Sequence, residues 1–169
     1  MGSEMCIRDR HGMASDVDLS IGWCLEKCEE YGGDRENVVL VGQSAGAHLC
    51  ALVLLRGAVH WRPNDLRGFV GISGPYHVPA TAAHWRARGF GQAMLDFIFG
   101  DEACMLMASP SYLAARAEDV ELPPMLLLHG TADKSATAQS TLDFAAALED
   151  LGVDVQTKLY EGWTHTDPI

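Results

Sequence analysis

The chain has 169 residues, enough for one medium domain with a proper core, and its 48% hydrophobic and 21% charged composition is that of a globular protein. A formal charge of -11 argues against a nucleic-acid binder, which needs clustered Lys and Arg against phosphates, and no basic stripe favours an anionic membrane surface. The longest apolar runs, such as LCALVLL, are too short to span a bilayer, and the start lacks the apolar segment of a signal peptide.

The first ten residues, MGSEMCIRDR, have no periodicity, cap or turn logic. They are what the codons GTG GGC TCG GAG ATG TGT ATA AGA GAC AGR encode, the end of a transposase-type sequencing-library adapter read from GTG as the start. Residues 1–10 are therefore expected to be a non-native tail, and residues 11–169 the domain proper.

From Ala14 to Tyr31 the pattern is helical, with Asp16 and Asp18 near the start and YGG at the stop. ENVVLVG is a short β-branched run, the mark of a buried parallel strand. SAGAHLCALVLL is small and apolar, as a helix packed closely on a sheet must be. LRGFVGISG reads as a second strand. The stretch from Pro75 to Ala108 reads as irregular, with one apolar helical patch, GQAMLDFIFG. LPPMLLLHG is a third buried strand, SATAQSTLDFAAALEDLG a helix closed by Gly152, and VDVQTKLYEG a fourth strand. Strands alternating with helices at these lengths imply a mostly parallel α/β sheet. The five cysteines, Cys6, Cys24, Cys28, Cys50 and Cys104, form no CxxC pair. They are expected to be buried thiols in a reducing compartment, with no further ligand near Cys24 and Cys28 to complete a metal site.

The first strand ends in GQSAG, a G-x-S-x-G at a strand–turn–helix junction, which is the nucleophile elbow. The tight turn holds Ser44 in a strained conformation, and side chains beside it would clash with neighbouring backbone, hence Gly42 and Gly46. The amide of Ala45, at a helix N-terminus, is the candidate oxyanion donor. A serine hydroxyl is a poor nucleophile until a histidine takes its proton, and that histidine needs an orienting carboxylate. With this elbow the partners follow in the order acid, then histidine, each on a loop after a strand. Asp133 follows MLLLHG and His165 follows TKLYEGW, so both fit. His48 lies within the helix after the elbow and is expected to point into packing, while His129 is expected to hold the turn that presents Asp133. His11, His60, His77 and His84 precede any acid-bearing strand. No phosphate-cradling loop or ligand cluster implies a cofactor or metal.

YGGD, GQSAGAHL, HWRARG, SPSYLA, LPPMLLLHGTADKS and LYEGWTHTD resemble the isoprenylcysteine methylesterase family, α/β-hydrolases related to carboxylesterases and kynurenine formamidases. The likeness runs from His11 to Ile169. It implies an α/β-hydrolase fold, here the C-terminal part of a doubly wound, mostly parallel sheet. It further implies hydrolysis of the methyl ester on a prenylated cysteine by Ser44, Asp133 and His165. It implies no cofactor, a small-molecule or prenylated-protein ester as partner, and membranes of the endoplasmic reticulum and Golgi, reached through an N-terminal segment absent here. The family also carries an upstream H-G-G motif that supplies the other half of the oxyanion hole; no HGG occurs in this sequence. The HG at His11 lies too close to Ser44 to leave room for the intervening strand and helices. The chain is thus expected to lack N-terminal strands, to bare the apolar edge of its elbow strand, and to be poorly soluble or inactive apart from a full-length parent. A closing helix beyond HTDPI is expected to be missing as well.

Residues 75–108 have the character of a cap insertion. Met94, Phe97 and Ile98, with Leu95 and Phe99, make its helix apolar on nearly every face, and Met105 and Met107 add adaptable bulk. Two readings stand: a greasy pocket for a prenyl or acyl chain, or a small cap packing on the body. Arg86 and Arg88 either meet a substrate carboxylate or lie solvated at the surface. An arylformamide hydrolase or general carboxylesterase would use the same three residues, whereas a non-catalytic scaffold on this body would typically have lost one of them. The oligomeric state is not legible.

Overall fold

The computed structural model describes residues 2–118 and 120–169, with the side chains of residues 2–11 excepted. The expectation for residues 1–10, and Cys6 with it, therefore lies outside the described side chains. A long helix, α1 (Gly2–Lys27), runs into a 3-10 turn at Cys28–Tyr31, where Gly32 adopts φ 81 and its amide caps Cys28 and Glu29. Then follow β1 (Val39–Gln43), α2 (Ala45–Arg56), β2 (Gly68–Ile72), α3 (Val78–Ala87), α4 (Gln92–Phe99), α5 (Glu102–Met107), α6 (Pro110–Ala114), β3 (Met125–Gly130), α7 (Ala138–Asp150) and β4 (Val155–Tyr160).

The four strands form one parallel sheet in the order β1-β2-β3-β4. Every crossover steps the same way across the sheet, so right-handed connections put α2, α6 and α7 on one face, where α6 touches both of the others. The register sets Leu40, Phe69, Met125 and Val155 side by side, and all four join the main core with Leu54, Phe144 and Leu148. Ile21 and Leu25 bring α1 into that core from outside α2. Residues one step along each strand face the other way. Val41, 59% exposed, stands beside Val70 and then Leu126, both half-buried. Among the described residues β1 has a strand neighbour on one side only.

The stretch expected to be irregular holds three helices, α3 to α5. α4 is the helical patch expected, whereas α3 and α5 escape a periodicity reading because each is short and is started by a local side-chain cap rather than by a long apolar stripe. The His77 ring accepts from the Ala80 amide at 3.1 Å, with Pro79 in the first turn. Asp101 accepts from the Cys104 amide at 2.8 Å. A separate small core of Val78, Ala82, Met105 and Ala108, with Phe99 against it, holds the cap together. The cysteine expectation is corrected: Cys24 is exposed and Cys28 and Cys104 are half-buried, leaving Cys50 as the buried thiol among those described. One-turn spacing placed Cys24 and Cys28 on a helix without saying which way that helix faces.

Candidate active site

β1 delivers the chain to Ser44 at its C-terminal end, and α2 starts at the next residue. Ser44 has φ 52 and ψ -120, a region L-residues rarely occupy. Its amide donates to the Ile72 carbonyl at the end of β2 (2.8 Å) and its carbonyl accepts from His48 in the first turn of α2 (3.1 Å). Gly42 is required by contact, because a Cβ there would stand 2.7 Å from the amide nitrogen of Ala47. For Gly46 the expected clash does not occur: a Cβ would meet nothing within 4 Å. The tight approach is between the strand end and the backbone of Gly46 and Ala47, so it constrains the residue at Gly42 alone. Ala45 contributes the first amide of α2, one of those with no acceptor inside a helix.

Asp133 sits in the turn after β3, buried, with its carboxylate fully used. Oδ1 accepts from the amides of Ser135 (2.7 Å) and Ala136 (3.0 Å), and Oδ2 lies 2.6 Å from Nδ1 of His165 and 3.1 Å from Nε2 of His129. Burial alone would push this carboxyl up. The hydrogen bonds from His129, His165 and the two amides outweigh that and hold it at about 2. His129 is wholly buried, with Nε2 also 3.2 Å from the Ala136 carbonyl and Nδ1 2.7 Å from the Thr141 hydroxyl. Both neighbours of Nε2 are acceptors, so Nε2 carries the proton and Nδ1 accepts from Thr141. His129 therefore braces the acid loop from beneath.

His165 lies on the loop after β4. Its Nε2 is 2.8 Å from Ser44 Oγ, so the structure brings Ser44, His165 and Asp133 into one hydrogen-bonded line although they are widely separated in sequence. Because Asp133 is an acceptor, Nδ1–H donates to it and Nε2 is left to accept the Ser44 proton. The acid and base loops are laced together: Thr131 donates to the Tyr160 carbonyl (3.0 Å), and Ala132 to that of Trp163 (2.9 Å). A Cβ on Gly130 would stand 2.6 Å from the Trp163 carbonyl carbon, so only glycine admits the base loop there. Sequence reasoning missed this role of Gly130, whose signal was the HG that ends the third strand. Gln43, inside the elbow, reaches the His165 carbonyl at 3.4 Å.

Beside Ser44 opens an apolar cavity of about 290 Å³. Leu49 and Leu52 of α2, Val78 and Trp85 of α3, and Ile98 and Phe99 of α4 form most of its wall, with Ser44 and Ala45 at one side. Of the pocket candidates, Ile98 lies here, whereas Met94 and Phe97 do not line it and are 52% and 79% exposed. A helix apolar on nearly every face, interrupted only by Asp96, gives little sequence signal for which side faces inward, whereas packing buries Leu95 and leaves Met94 and Phe97 exposed. His48, expected in packing, donates from Nδ1 to the Pro75 carbonyl (2.9 Å) and lines the same cavity. Arg86 bonds Gln92 at 3.0 Å, while Arg88 reaches the Lys134 carbonyl on the acid loop. Among the described residues no group of three His, Cys, Asp or Glu is placed to hold a metal ion.

The profile of the alpha/beta hydrolase fold family matches residues 14–167. A probable isoprenylcysteine alpha-carbonyl methylesterase of Arabidopsis thaliana is 31% identical over 92% of this chain and 35% of its own length. A second, from Oryza sativa subsp. japonica, is 34% identical over 92% and 40%. The chain thus spans well under half the length of these curated relatives. Among solved structures, esterase B from Lactobacillus Rhamnosis superposes with a TM-score of 0.69 at 19% identity, covering 90% of this chain and 52% of that one, a likeness of fold. The chain belongs to the alpha/beta hydrolase fold family and, within it, resembles the isoprenylcysteine methylesterases.

Proposed function

We propose that this chain carries the reacting residues of a serine carboxylesterase that hydrolyses the methyl ester of isoprenylated cysteine. The observation that supports it is the line Ser44 Oγ, His165 Nε2, His165 Nδ1, Asp133 Oδ2, with steps of 2.8 and 2.6 Å across the ring, beside an apolar cavity. In this reading Nε2 takes the Ser44 proton as Oγ attacks the ester carbonyl, and the Asp133 carboxylate steadies the imidazolium that forms. The oxyanion of the tetrahedral intermediate meets the Ala45 amide and the N-terminal end of α2. The imidazolium then hands its proton to the departing methoxide, which leaves as methanol. Water, deprotonated by the same Nε2, cleaves the acyl-enzyme and returns Ser44. No metal or cofactor enters this scheme.

Two parts rest on resemblance. The second oxyanion donor is proposed to come from sequence upstream of these residues, and its loss from the isolated chain is expected to slow turnover by about a hundred- to a thousand-fold. Endoplasmic reticulum and Golgi membranes are the proposed location, reached through a segment outside these residues. Among the described residues no helix is long and apolar enough to cross a membrane.

The test is labelling by a fluorophosphonate, which requires an activated serine but not full turnover. Labelling that Ser44→Ala abolishes supports the reading; a chain that never labels, or labels equally without Ser44, removes it. On a form extended upstream, faster turnover of a prenylcysteine methyl ester than of N-formylkynurenine separates this reading from an arylformamidase. The largely apolar wall of the cavity favours the first substrate.

A further inference from the structure

The HWRARG segment, residues 84–89, is not accounted for by the chemistry above, yet three of its side chains converge on the loop that carries Asp133. The Trp85 indole N–H donates to the Ser135 carbonyl at 2.8 Å. His84 donates from Nε2 to the Lys134 carbonyl at 2.8 Å, and Arg88 reaches the same oxygen through Nη1. The amide of Ser135 in turn donates to Asp133 Oδ1 at 2.7 Å. The ring of Trp85, meanwhile, forms part of the wall of the cavity beside Ser44. It is fixed there by Phe99, edge-on at 5.4 Å, and Phe90 at 5.3 Å.

We propose that Trp85 is a positioning and specificity residue: one face of its indole walls the chamber that takes the substrate's carbon chain, and its N–H holds the acid loop, so that filling the chamber steadies the orienting carboxylate. The inference rests on the reading of Ser44 as a nucleophile activated through His165. The physical link is short and rigid. An indole has only two rotatable bonds to its backbone, and this one is held by aromatic neighbours and by a hydrogen bond. The planar peptide between Ser135 and Ala136 carries one bond on each side, the Ser135 carbonyl to Trp85 and the Ala136 amide to Asp133 Oδ1 at 3.0 Å, so a tilt of the ring is felt at the carboxylate. The chamber has room for about ten waters at ~30 Å³ each, and an alkyl chain that displaces them packs against the same ring. Long chains are therefore favoured in the rate of the chemical step as well as in affinity.

The experiment uses the full chain and two fluorophosphonates, one with an ethyl and one with a dodecyl tail, with kinact and KI measured separately. Wild type is expected to give the dodecyl reagent both a lower KI and a higher kinact. Trp85→Phe keeps the ring and loses the N–H: kinact should fall about tenfold with both tails, the worth of one hydrogen bond on the loop, while the dodecyl KI stays within twofold. Trp85→Leu should in addition raise the dodecyl KI and leave the ethyl KI in place. Arg88→Met, at an exposed side chain, should lower kinact a few-fold with both tails without changing KI, and it decides the matter if Trp85→Phe does not fold. A folded Trp85→Phe within twofold of wild type in both constants overturns the proposal. So does one that changes only the dodecyl KI, which would make Trp85 a wall and nothing more. A wild-type chain that does not label overturns the reading of Ser44 instead, a result distinguishable from either.

Discussion

The carbonyl carbon of Trp163 lies 2.6 Å from where a Cβ on Gly130 would stand, so the end of β3 meets the base loop across a gap that only glycine leaves. The two loops that carry Asp133 and His165 are thereby one unit, hydrogen-bonded to each other before either reaches Ser44.

Gly130→Ala is accordingly expected to push the base loop away and to lower stability by roughly 1–3 kcal/mol, the usual cost of overpacking. Fluorophosphonate labelling should fall more than tenfold as the His165 ring leaves Ser44. Gly46→Ala, with open space around its Cβ and a place in α2, should instead raise stability by about 0.5 kcal/mol. Urea denaturation of both variants checks the contrast, and a Gly130→Ala chain as stable as wild type would refute it.

Asp133 also sets an acid limit. Its carboxyl, ordinarily near 3.8, is held at about 2 in the folded chain. A depressed folded value means the stabilisation is complete above about 4 and is lost as pH falls through about 2; it amounts to about 2 kcal/mol. Asp133→Asn should lack this component. The stability difference between wild type and variant, measured at pH 6 and again at pH 2, is expected to shrink by that amount.

Thiol reactivity follows burial. Burial pushes the Cys50 thiol up to about 11, whereas Cys24 is exposed. At pH 8 iodoacetamide is expected to modify Cys24 within minutes and Cys50 only on unfolding, which peptide mass spectrometry resolves.

Val39 and Val41, 47% and 59% exposed, stand on a strand with no described neighbour on its outer side. Such an edge pairs with other chains. The isolated chain should associate as concentration rises, and Val41→Lys should shift the light-scattering mass toward the monomer.

The elements that the sequence made legible are those built on local rules. A β-branched run ending in G-x-S-x-G reads as a strand feeding a tight turn, and Ser44 is found there with φ 52. Asp133 and His165 followed from chain order alone, because each loop after a parallel strand emerges at the same end of the sheet. The cap was read less well. Helices α3 and α5 are short and capped by His77 and Asp101, and the mostly apolar α4, though legible as a helix, does not say that Ile98 lines the cavity while Met94 and Phe97 are exposed.

By itself the sequence determined the turn that strains Ser44 and the loops on which Asp133 and His165 lie, since backbone sterics and chain direction suffice for these. Only the tertiary structure decided that Gly130 joins Gly42 as a glycine the turns cannot spare while Gly46 has room for a side chain, and that Trp85 touches both cavity and acid loop. These depend on which surfaces meet across elements far apart in the chain, and no periodicity within a single element records that.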